Sequence, residues 1–217
     1  MGEKFVNYQV KSSSLSVFSI SDICEAVKKI TKSQAYITPE KNGWFSIYDR
    51  TSEEFIYHEI SAFAQKVSEA LSSTVFAFIV LSGINFIYLL YDSGELIDEF
   101  YDDPESFTFG YEYVNDKIRK QFQGNPQKIL TYCVEGTTLQ DLLHFFDICK
   151  KNEMDHYDGK KIQYYGMDAV EEFVVFLGID EERATTGYKY LEDDKFYGTG
   201  LEMEDAEDFI LVEASSI

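Results

Sequence analysis

Length, composition and charge limit what this chain can be. Its 217 residues are 45% hydrophobic with only three prolines, which is enough apolar material for a sizeable core and excludes a long disordered linker. The longest apolar run, residues 75–81, is far shorter than the ~20 residues of a membrane helix, so we expect no membrane span.

The formal net charge of −20 is concentrated in two segments. Residues 51–110 carry eleven acidic residues and one basic residue, and residues 167–217 carry fifteen acidic and three basic residues. Such a field repels phosphate groups and attracts basic surfaces. The charge therefore argues against nucleic-acid binding and favours a basic protein partner, although it also serves solubility.

Motifs for cofactors, metals and export are missing from the sequence. Cys24, Cys133 and Cys149 form no C-x-x-C pair, and we expect them to be reduced. H-E-x-x-H, EF-hand and glycine-rich phosphate patterns do not occur, so we expect no cofactor and no metal site. The first eleven residues contain charges and no apolar stretch, which favours a cytoplasmic protein over a secreted one.

Strand and helix patterns alternate over the first 101 residues. The predicted strands lie at residues 5–10, 34–38, 43–49, 74–81, 84–91 and 95–101, and the predicted helices at residues 22–32 and 54–72. Ser21 is the expected N-cap of the first helix. Ser93–Gly94 fits a two-residue hairpin loop between the last two strands, because glycine accepts a positive φ.

This order predicts an α+β fold. The first six elements follow the βαββαβ, or ferredoxin-like, order of an antiparallel sheet backed by two helices, and the last hairpin extends that sheet. We expect residues 1–110 to form this sheet half. Residues 111–217 are expected to form a mainly helical half that packs on the free face of the sheet, giving one compact unit.

Capping residues mark the helices of the second half. We expect Asn125 to cap a short helix that begins at Pro126, and a Thr137–Gln140 capping box to begin the next helix. Gly178 is expected to end a third helix, and Asp180 to cap a last helix that reaches Leu191. The final apolar run, residues 209–212, fits either an added edge strand or a tail. The three histidines lie off the apolar stripes, and we expect them to be solvated.

Two acids occupy apolar rows of predicted strands. Regular pairing around Ser93–Gly94 places Asp98 opposite Leu89, and Asp49 ends the apolar row of its strand. A buried carboxylate needs hydrogen-bond donors or takes up a proton, so the two acids are candidates for the catalytic pair or metal clamp of a hydrolase. The alternative is structural. Asp49 then begins a turn, and Asp98 accepts hydrogen bonds from a tyrosine hydroxyl or a backbone amide.

Tyrosines and acids gather at the predicted hairpin. Tyrosine combines apolar area with a polar tip, which is typical of interfaces. The predicted binding residues are Tyr88, Tyr91, Glu95, Glu99, Tyr101, Asp102 and Asp103. The alternative is that these rings, with the nearby Tyr111 and Tyr113, cover the core. The acidic clusters at residues 102–105, 193–194 and 202–205 are expected to be solvated.

Several runs resemble a known group of proteins. GWFSIYDR (residues 43–50) and the segment at residues 75–107 resemble uncharacterised bacterial cytosolic proteins with G-W-x-S-x-Y-D and Y-x-L-Y-x-x-G-x-L-x-D-x-[YF] motifs, and residues 176–192 are similar to their helical half. The group has no established activity, so the resemblance implies a bacterial origin and no catalytic residues. Residues 82–84 depart from its pattern.

Three functions follow as hypotheses. The first is a non-catalytic acidic protein, such as a regulator or an immunity-like inhibitor, that binds a basic protein surface. The second is a hydrolase that uses Asp49 and Asp98. The third is a small-ligand sensor with a pocket between the sheet and the helical half.

Overall fold

The main element of the fold is a seven-stranded antiparallel sheet. The computed structural model describes residues 4–12, 18–105, 114–151, 155–157, 160–162, 166–192 and 208–215. The strands are β1 (Phe5–Lys11), β2 (Gln34–Ile37), β3 (Trp44–Asp49), β4 (Thr74–Leu81), β5 (Asn85–Asp92), β6 (Glu95–Tyr101), β7 (Asp155–Tyr157), β8 (Lys160–Ile162) and β9 (Ile210–Glu213). Antiparallel pairing joins seven of them in the order β6-β5-β4-β1-β3-β2-β9, and β7 pairs with β8.

Helices cover both faces of this sheet. They are α1 (Ile20–Ile30), α2 (Tyr57–Leu71), α3 (Asp116–Gln121), α4 (Pro126–Ile129), α5 (Leu139–Lys151), α6 (Gly166–Leu177), α7 (Glu181–Ala184) and α8 (Tyr188–Glu192). 3₁₀ turns lie at Thr51–Glu54 and Leu130–Tyr132. The predicted α+β class is therefore confirmed. No helix among the described residues is long and apolar enough to cross a bilayer.

The central strand β4 shows how the two faces differ. Its alternating side chains contribute Val75, Ala77 and Ile79 to the core shared with α1 and α2, and Phe76, Phe78 and Val80 to the core shared with α5 and α6. All six are buried. The continuous apolar pattern predicted a strand covered on both sides, and the structure confirms it.

An aromatic cluster fills the α5–α6 face. The ring of Phe173 in α6 stacks on Tyr88 at 5.1 Å and on Phe145 at 5.2 Å between ring centroids. Phe76, Phe78 and Phe86 also lie within about 6 Å of it. Stacked and edge-to-face pairs each contribute about 0.5–1.5 kcal/mol beyond burial, so Phe173 is a main attachment of the helical half to the sheet.

Two helices begin with capping boxes, and in each case the N-cap residue differs from the predicted one. Ser19, not Ser21, caps α1, because the Asp22 carboxylate accepts from the Ser19 amide and the Ser19 hydroxyl accepts from the Asp22 amide. Thr138 and Asp141 make the same exchange at α5, one residue after the predicted Thr137 start. In each box the third helical residue is aspartate, which reaches back to the cap.

The predicted last helix is broken after α7. Asp180 caps α7 as expected, but the helix ends at Ala184 and a new one begins at Tyr188. Buried polar side chains of the sheet cause the break by taking the carbonyl groups of this segment. The Asn7 amide donates to the carbonyls of Ala184 and Thr186, and the Tyr48 hydroxyl donates to that of Arg183.

The C-terminal run joins the sheet as its outermost strand. β9 pairs with β2, and the Ala214 and Ser215 amides continue the contact by donating to the carbonyls of Ser33 and Lys28. The edge-strand alternative is therefore confirmed for Ile210–Glu213. Residues 202–207, Tyr111 and Tyr113 lie outside the described residues.

Phe173→Ala is predicted to lower the free energy of unfolding by about 3–5 kcal/mol, because it removes a buried ring from the aromatic cluster. Val175→Ala on the same helix is the control, since this side chain is 61% exposed. We expect it to change the free energy by less than about 0.5 kcal/mol. Urea unfolding followed by circular dichroism measures both, and equal losses would contradict the assigned role of Phe173.

Candidate functional site

A β-bulge repositions the acids of the hairpin. The Ser93–Gly94 turn forms as predicted, with φ values of 50° and 85°. Pairing then shifts by one residue, because Leu96 lies opposite Tyr91 whereas Asp98 lies opposite Leu90. The extra residue is Ile97. The predicted pairing of Asp98 with Leu89 is therefore wrong, since the bulge moves Asp98 to the α5–α6 face.

Internal donors hold the Asp98 carboxylate. Its Oδ2 accepts from the Tyr88 hydroxyl at 2.7 Å and from the Asn125 amide at 2.8 Å. Burial raises the pKa of Asp98, and these two hydrogen bonds offset part of that increase. This matches the structural alternative, in which a tyrosine and a backbone amide satisfy the acid.

Glu99 is buried on the opposite side of the same strand. Its Oε2 accepts from the Tyr57 hydroxyl at 2.5 Å. Burial raises the pKa of Glu99, and hydrogen bonds from Tyr57 and Gln121 partly counter the effect. The outer edge of β6 beside Glu99 is closed by the segment after α3, because the Gly124 amide donates to the Glu99 carbonyl.

Asp49 has a similar internal role at the end of β3. Its carboxylate accepts from the Thr31 hydroxyl at 2.6 Å, the Ser52 amide at 2.9 Å and the Ser52 hydroxyl at 2.8 Å. Burial raises the pKa of Asp49. The residue begins the turn before α2, as the structural alternative predicted.

The sheet separates the two proposed catalytic acids. Asp98 belongs to β6 and Asp49 to β3, which lies four positions away in the strand order. At ~4.8 Å per strand the separation is about 19 Å, beyond the ~6.5–9.5 Å of a two-carboxylate inverting site. Asp49 follows Phe45 and Ile47 on the α1–α2 face, opposite to the face of Asp98. An Asp49–Asp98 catalytic pair is therefore wrong.

The predicted tyrosine surface is also wrong, because its rings lie in the core. Tyr88, Tyr91 and Tyr101 are exposed by 0%, 4% and 1% respectively. The hydroxyls of Tyr88 and Tyr91 are used internally, by Asp98 and by Ser61 at 2.6 Å. Strand alternation buries these rings because both faces of the sheet are covered, so the alternative that they cover the core is correct.

The remaining predicted binding residues are acids, of which some accept hydrogen bonds within the protein and one is exposed to solvent. The half-buried Asp102 accepts from the Phe86 amide at 2.9 Å and the Asn85 amide group at 3.3 Å, and burial raises its pKa to about 7. Asp103 accepts from the Glu105 amide and is half-buried, whereas Glu95 is exposed. No group of three or more metal-binding side chains occurs in the part of the chain that the structure describes.

Three acids surround the tip of the hairpin. Gly94 lies against Glu69, since a Cβ at Gly94 would be 2.9 Å from the Glu69 Cβ, and Asp92 and Glu95 flank the turn. Asp92 accepts from Tyr132 at 3.2 Å, but none of the three acids has a cation within 4 Å among the described residues. Leu96 beside them is 47% exposed. We call Glu69, Asp92, Glu95 and Leu96 the acidic turn surface.

A polar cleft of about 260 Å³ continues this surface along the edge of β6. Its walls include Leu96, Asp98, Glu99, Lys120 and Lys128. The Lys128 ammonium donates to the Ile97 carbonyl at 2.5 Å and so covers the strand edge at the bulge. The Asp98 and Glu99 carboxylates of the cleft therefore already accept hydrogen bonds, and the Lys128 ammonium already donates to a backbone carbonyl.

Another groove lies between the sheet and the helical half, where the sensor hypothesis expected a pocket. It has a volume of about 480 Å³, and its walls include Trp44, Val134 and Leu177. Its cation, Lys11, donates to the Tyr132 carbonyl at 3.1 Å and lies 5.2 Å above the Trp44 ring. The cation of this groove is therefore engaged by the protein itself.

Glu53 is a buried acid that the sequence analysis missed. It is 3% exposed, and neither carboxylate oxygen has a hydrogen-bond partner of normal geometry among the described residues. Burial raises its pKa to about 7, while the charge of Lys189 and the nearby amides of Val6 and Tyr188 reduce the increase. Gly187 makes room for it, because a Cβ there would lie 2.5 Å from the carboxylate. Position 53 lies in a polar run, DRTSEE, that looks like an exposed turn.

No protein-family model, curated protein or solved structure matches the chain. The chemistry of the described residues is therefore the basis for the functional assignment.

Glu53→Gln is predicted to remove a pH dependence of stability. The folded-state pKa is about 7 against an ordinary value of 4.5, so the folded protein resists ionisation of this carboxyl. The resulting penalty is complete above pH 7, decreases as the pH falls towards 4.5, and has a maximum of about 3 kcal/mol. Relative to the wild type, the variant should gain up to this amount between pH 4.5 and pH 8.

Urea unfolding at several pH values measures the Glu53 effect. The adjacent Glu54→Gln is the control, since Glu54 is exposed and loses the same charge. A stability difference between wild type and Glu53→Gln that stays constant across this pH range would show that burial does not perturb Glu53.

Proposed function

We propose that this protein is a non-catalytic interaction protein whose acidic turn surface binds a basic segment of another protein. One observation carries the proposal. The acids that the sequence marked as reactive, Asp49 and Asp98, are held by internal donors, whereas Glu69, Asp92 and Glu95 have no cationic partner among the described residues.

The shape of the acidic turn surface favours a protein partner over a small ion. Its three carboxylates surround a two-residue turn, so they concentrate negative charge at one end of the hairpin. Leu96 supplies exposed apolar area beside them, and the adjoining polar cleft of about 260 Å³ offers a path for an extended chain. Charge steers such an encounter, and the apolar contact adds affinity once the charges are aligned.

We also propose that β1 to β4 with α1 and α2 constitute a ferredoxin-like unit. The strand order β4-β1-β3-β2 with antiparallel neighbours supports it, since a split βαβ arrangement requires this order. Membership of the uncharacterised bacterial family remains a proposal that rests on the motifs at residues 43–50 and 75–107. A cytoplasmic location is proposed with it, and the free state of Cys24, Cys133 and Cys149 is compatible with a reducing compartment.

The triple variant Glu69→Gln, Asp92→Asn, Glu95→Gln is predicted to bind a basic peptide about tenfold more weakly than the wild type. Three surface charge contacts of about 0.5 kcal/mol each, near the middle of the measured range, account for a change of this size. A deca-lysine peptide carrying a fluorophore is the probe, and fluorescence anisotropy at low and high salt is the measurement. Salt should weaken wild-type binding strongly, because exposed charges are screened.

The control triple variant is Glu25→Gln, Glu54→Gln, Glu135→Gln, which removes the same charge from exposed positions outside the acidic turn surface. It should lose less than twofold. Equal losses in the two triple variants would mean that only net charge attracts the peptide, and the acidic turn surface would not be a binding site. Capture of a basic protein from cytosol by the wild type and the control, but not by the hairpin variant, would identify the partner.

A further inference from the structure

We propose that the outer edge of β9 binds an extended segment of another protein that has apolar residues at its centre and lysine or arginine at its ends. β9 (Ile210–Glu213) is the last strand of the sheet and pairs on one side only, with β2. The bound segment would join the sheet as a further strand through backbone hydrogen bonds. This inference is independent of the function proposed above, because β9 and the acidic turn surface lie at opposite edges of the sheet.

The strand register shows which backbone groups of β9 point outward. The Ala214 amide donates to the Ser33 carbonyl, so these two residues form a hydrogen-bonded pair of the antiparallel ladder. Such pairs alternate along a strand, and the residues two and four positions before Ala214 therefore also bond to β2. The N–H and C=O groups of Leu211 and Glu213 face away from the sheet, and no group in the described part of the chain bonds to them.

Hydrogen bonds on the far side of β2 confirm this register. The Arg50 amide donates to the Gln34 carbonyl, and the Thr38 amide donates to the Ser46 carbonyl. Even-numbered residues of β2 thus bond to β3, which leaves the odd-numbered residues for β9. The outward residues of β9 lie opposite even-numbered residues of β2, so their backbone groups have no partner in that strand.

The other edge of the sheet shows how this protein closes a strand edge. The Gly124 amide donates to the Glu99 carbonyl, and the Lys128 ammonium donates to the Ile97 carbonyl at the β-bulge. Lysines, bulges and covering loops are common means by which edge strands avoid further pairing. β9 contains no lysine or proline, and its register with β2 has no shift. Within the described chain, its outward groups are therefore free to pair with an added strand.

Apolar side chains flank these groups on both faces of the strand. Val212 is buried in the core shared with α1 and α2, so Ile210, two residues before it, lies on the same face. Leu211 lies on the other face with Phe209, whose ring stacks on Tyr48 at 6.1 Å. Ile210 and Leu211 are 39% and 46% exposed. An added strand with apolar residues at its centre would cover both side chains, and burial of that area favours binding.

The charges at the two ends of β9 specify the ends of the partner segment. Asp208 and Glu213 are exposed, and neither has a cation within 4 Å among the residues that the structure describes. In the sequence, residues 202–208 contain five acids and no base. A complementary segment therefore carries a lysine or arginine at each end. A second copy of this chain does not fit, because two chains of net charge −20 repel each other and β9 has no basic residue.

Hydrogen exchange of backbone amides in the ¹⁵N-labelled full chain, followed by NMR, tests the proposal. The probe is the blocked peptide acetyl-Lys-Thr-Val-Val-Thr-Lys-amide, whose palindromic sequence fits either strand direction. When about nine tenths of the protein is bound, exchange of the Leu211 and Glu213 amides should slow about tenfold, because only the free tenth exchanges. The Ile210 and Val212 amides should be protected already without peptide, since they bond to β2.

A peptide with both valines replaced by proline is the control ligand. It keeps the two lysines but lacks the central amide donors, so it should leave exchange of the Leu211 amide unchanged. Equal slowing by the two peptides would overturn strand addition. Protection of the Leu211 amide in the free chain would also overturn the proposal, because the edge would then be covered without a partner. Protection that rises with protein concentration would do the same, because it would assign the edge to a second copy.

Charge reversal at the strand ends tests the chemistry of the partner. The double variant Asp208→Lys, Glu213→Lys should bind the lysine peptide about fivefold more weakly than the wild type, and an analogue with glutamate in place of both lysines about fivefold more tightly. Glu54→Lys, Glu135→Lys is the matched control, since it makes the same change in net charge at exposed positions outside β9. Equal affinities of the two double variants for each peptide would contradict the role of Asp208 and Glu213.

The triple variant of the acidic turn surface separates this inference from the proposed function. β6 and β9 are six strand spacings apart, or about 29 Å at ~4.8 Å each, so this variant should retain the effect of the peptide on the Leu211 amide. Loss of the effect in the triple variant would place the peptide at the acidic turn surface and overturn binding at β9.

Discussion

Coverage of the sheet on both faces is the constraint on which the rest of this structure depends. α1 and α2 lie on one face and α5 to α8 on the other, so alternate residues of the central strands are buried in both directions. Removing a polar group from water without a partner costs several kcal/mol. Every polar side chain on β1, β3 or β6 therefore needs a hydrogen-bond partner inside the protein. Most of the acids and amides on these strands have such a partner.

This constraint explains why reactive-looking residues are structural. Asn7 and Tyr48 satisfy the carbonyls of an interrupted helical segment, and Asp98 ties the hairpin to the loop before α4. A carboxylate that accepts two or three short hydrogen bonds is held in one orientation, which is the property of a structural link. Glu53 is the exception, because its carboxylate is buried without a well-formed hydrogen bond.

Because helices cover both faces, other molecules can reach the sheet itself only at its strand ends and edges. The acidic turn surface lies at one of these ends, where β5 turns into β6. Glu69, Asp92 and Glu95 have no cation within 4 Å among the described residues, so this end of the sheet presents unmatched negative charge.

Local signals in the amino-acid sequence were enough to predict several elements of the fold. The apolar alternation of β4, the Ser93–Gly94 turn, Pro126 after Asn125 and the stripe of α6 ending at Gly178 all predicted the observed structure, because periodicity and backbone preference act within a few residues. Tertiary structure decided the rest. The bulge at Ile97 chose the face of Asp98, the polar groups of β1 and β3 divided α7 from α8, and the strand order separated Asp49 from Asp98. Glu69 of α2 meets Asp92 and Glu95 only after folding, so the combined charge of the acidic turn surface has no signature along the chain.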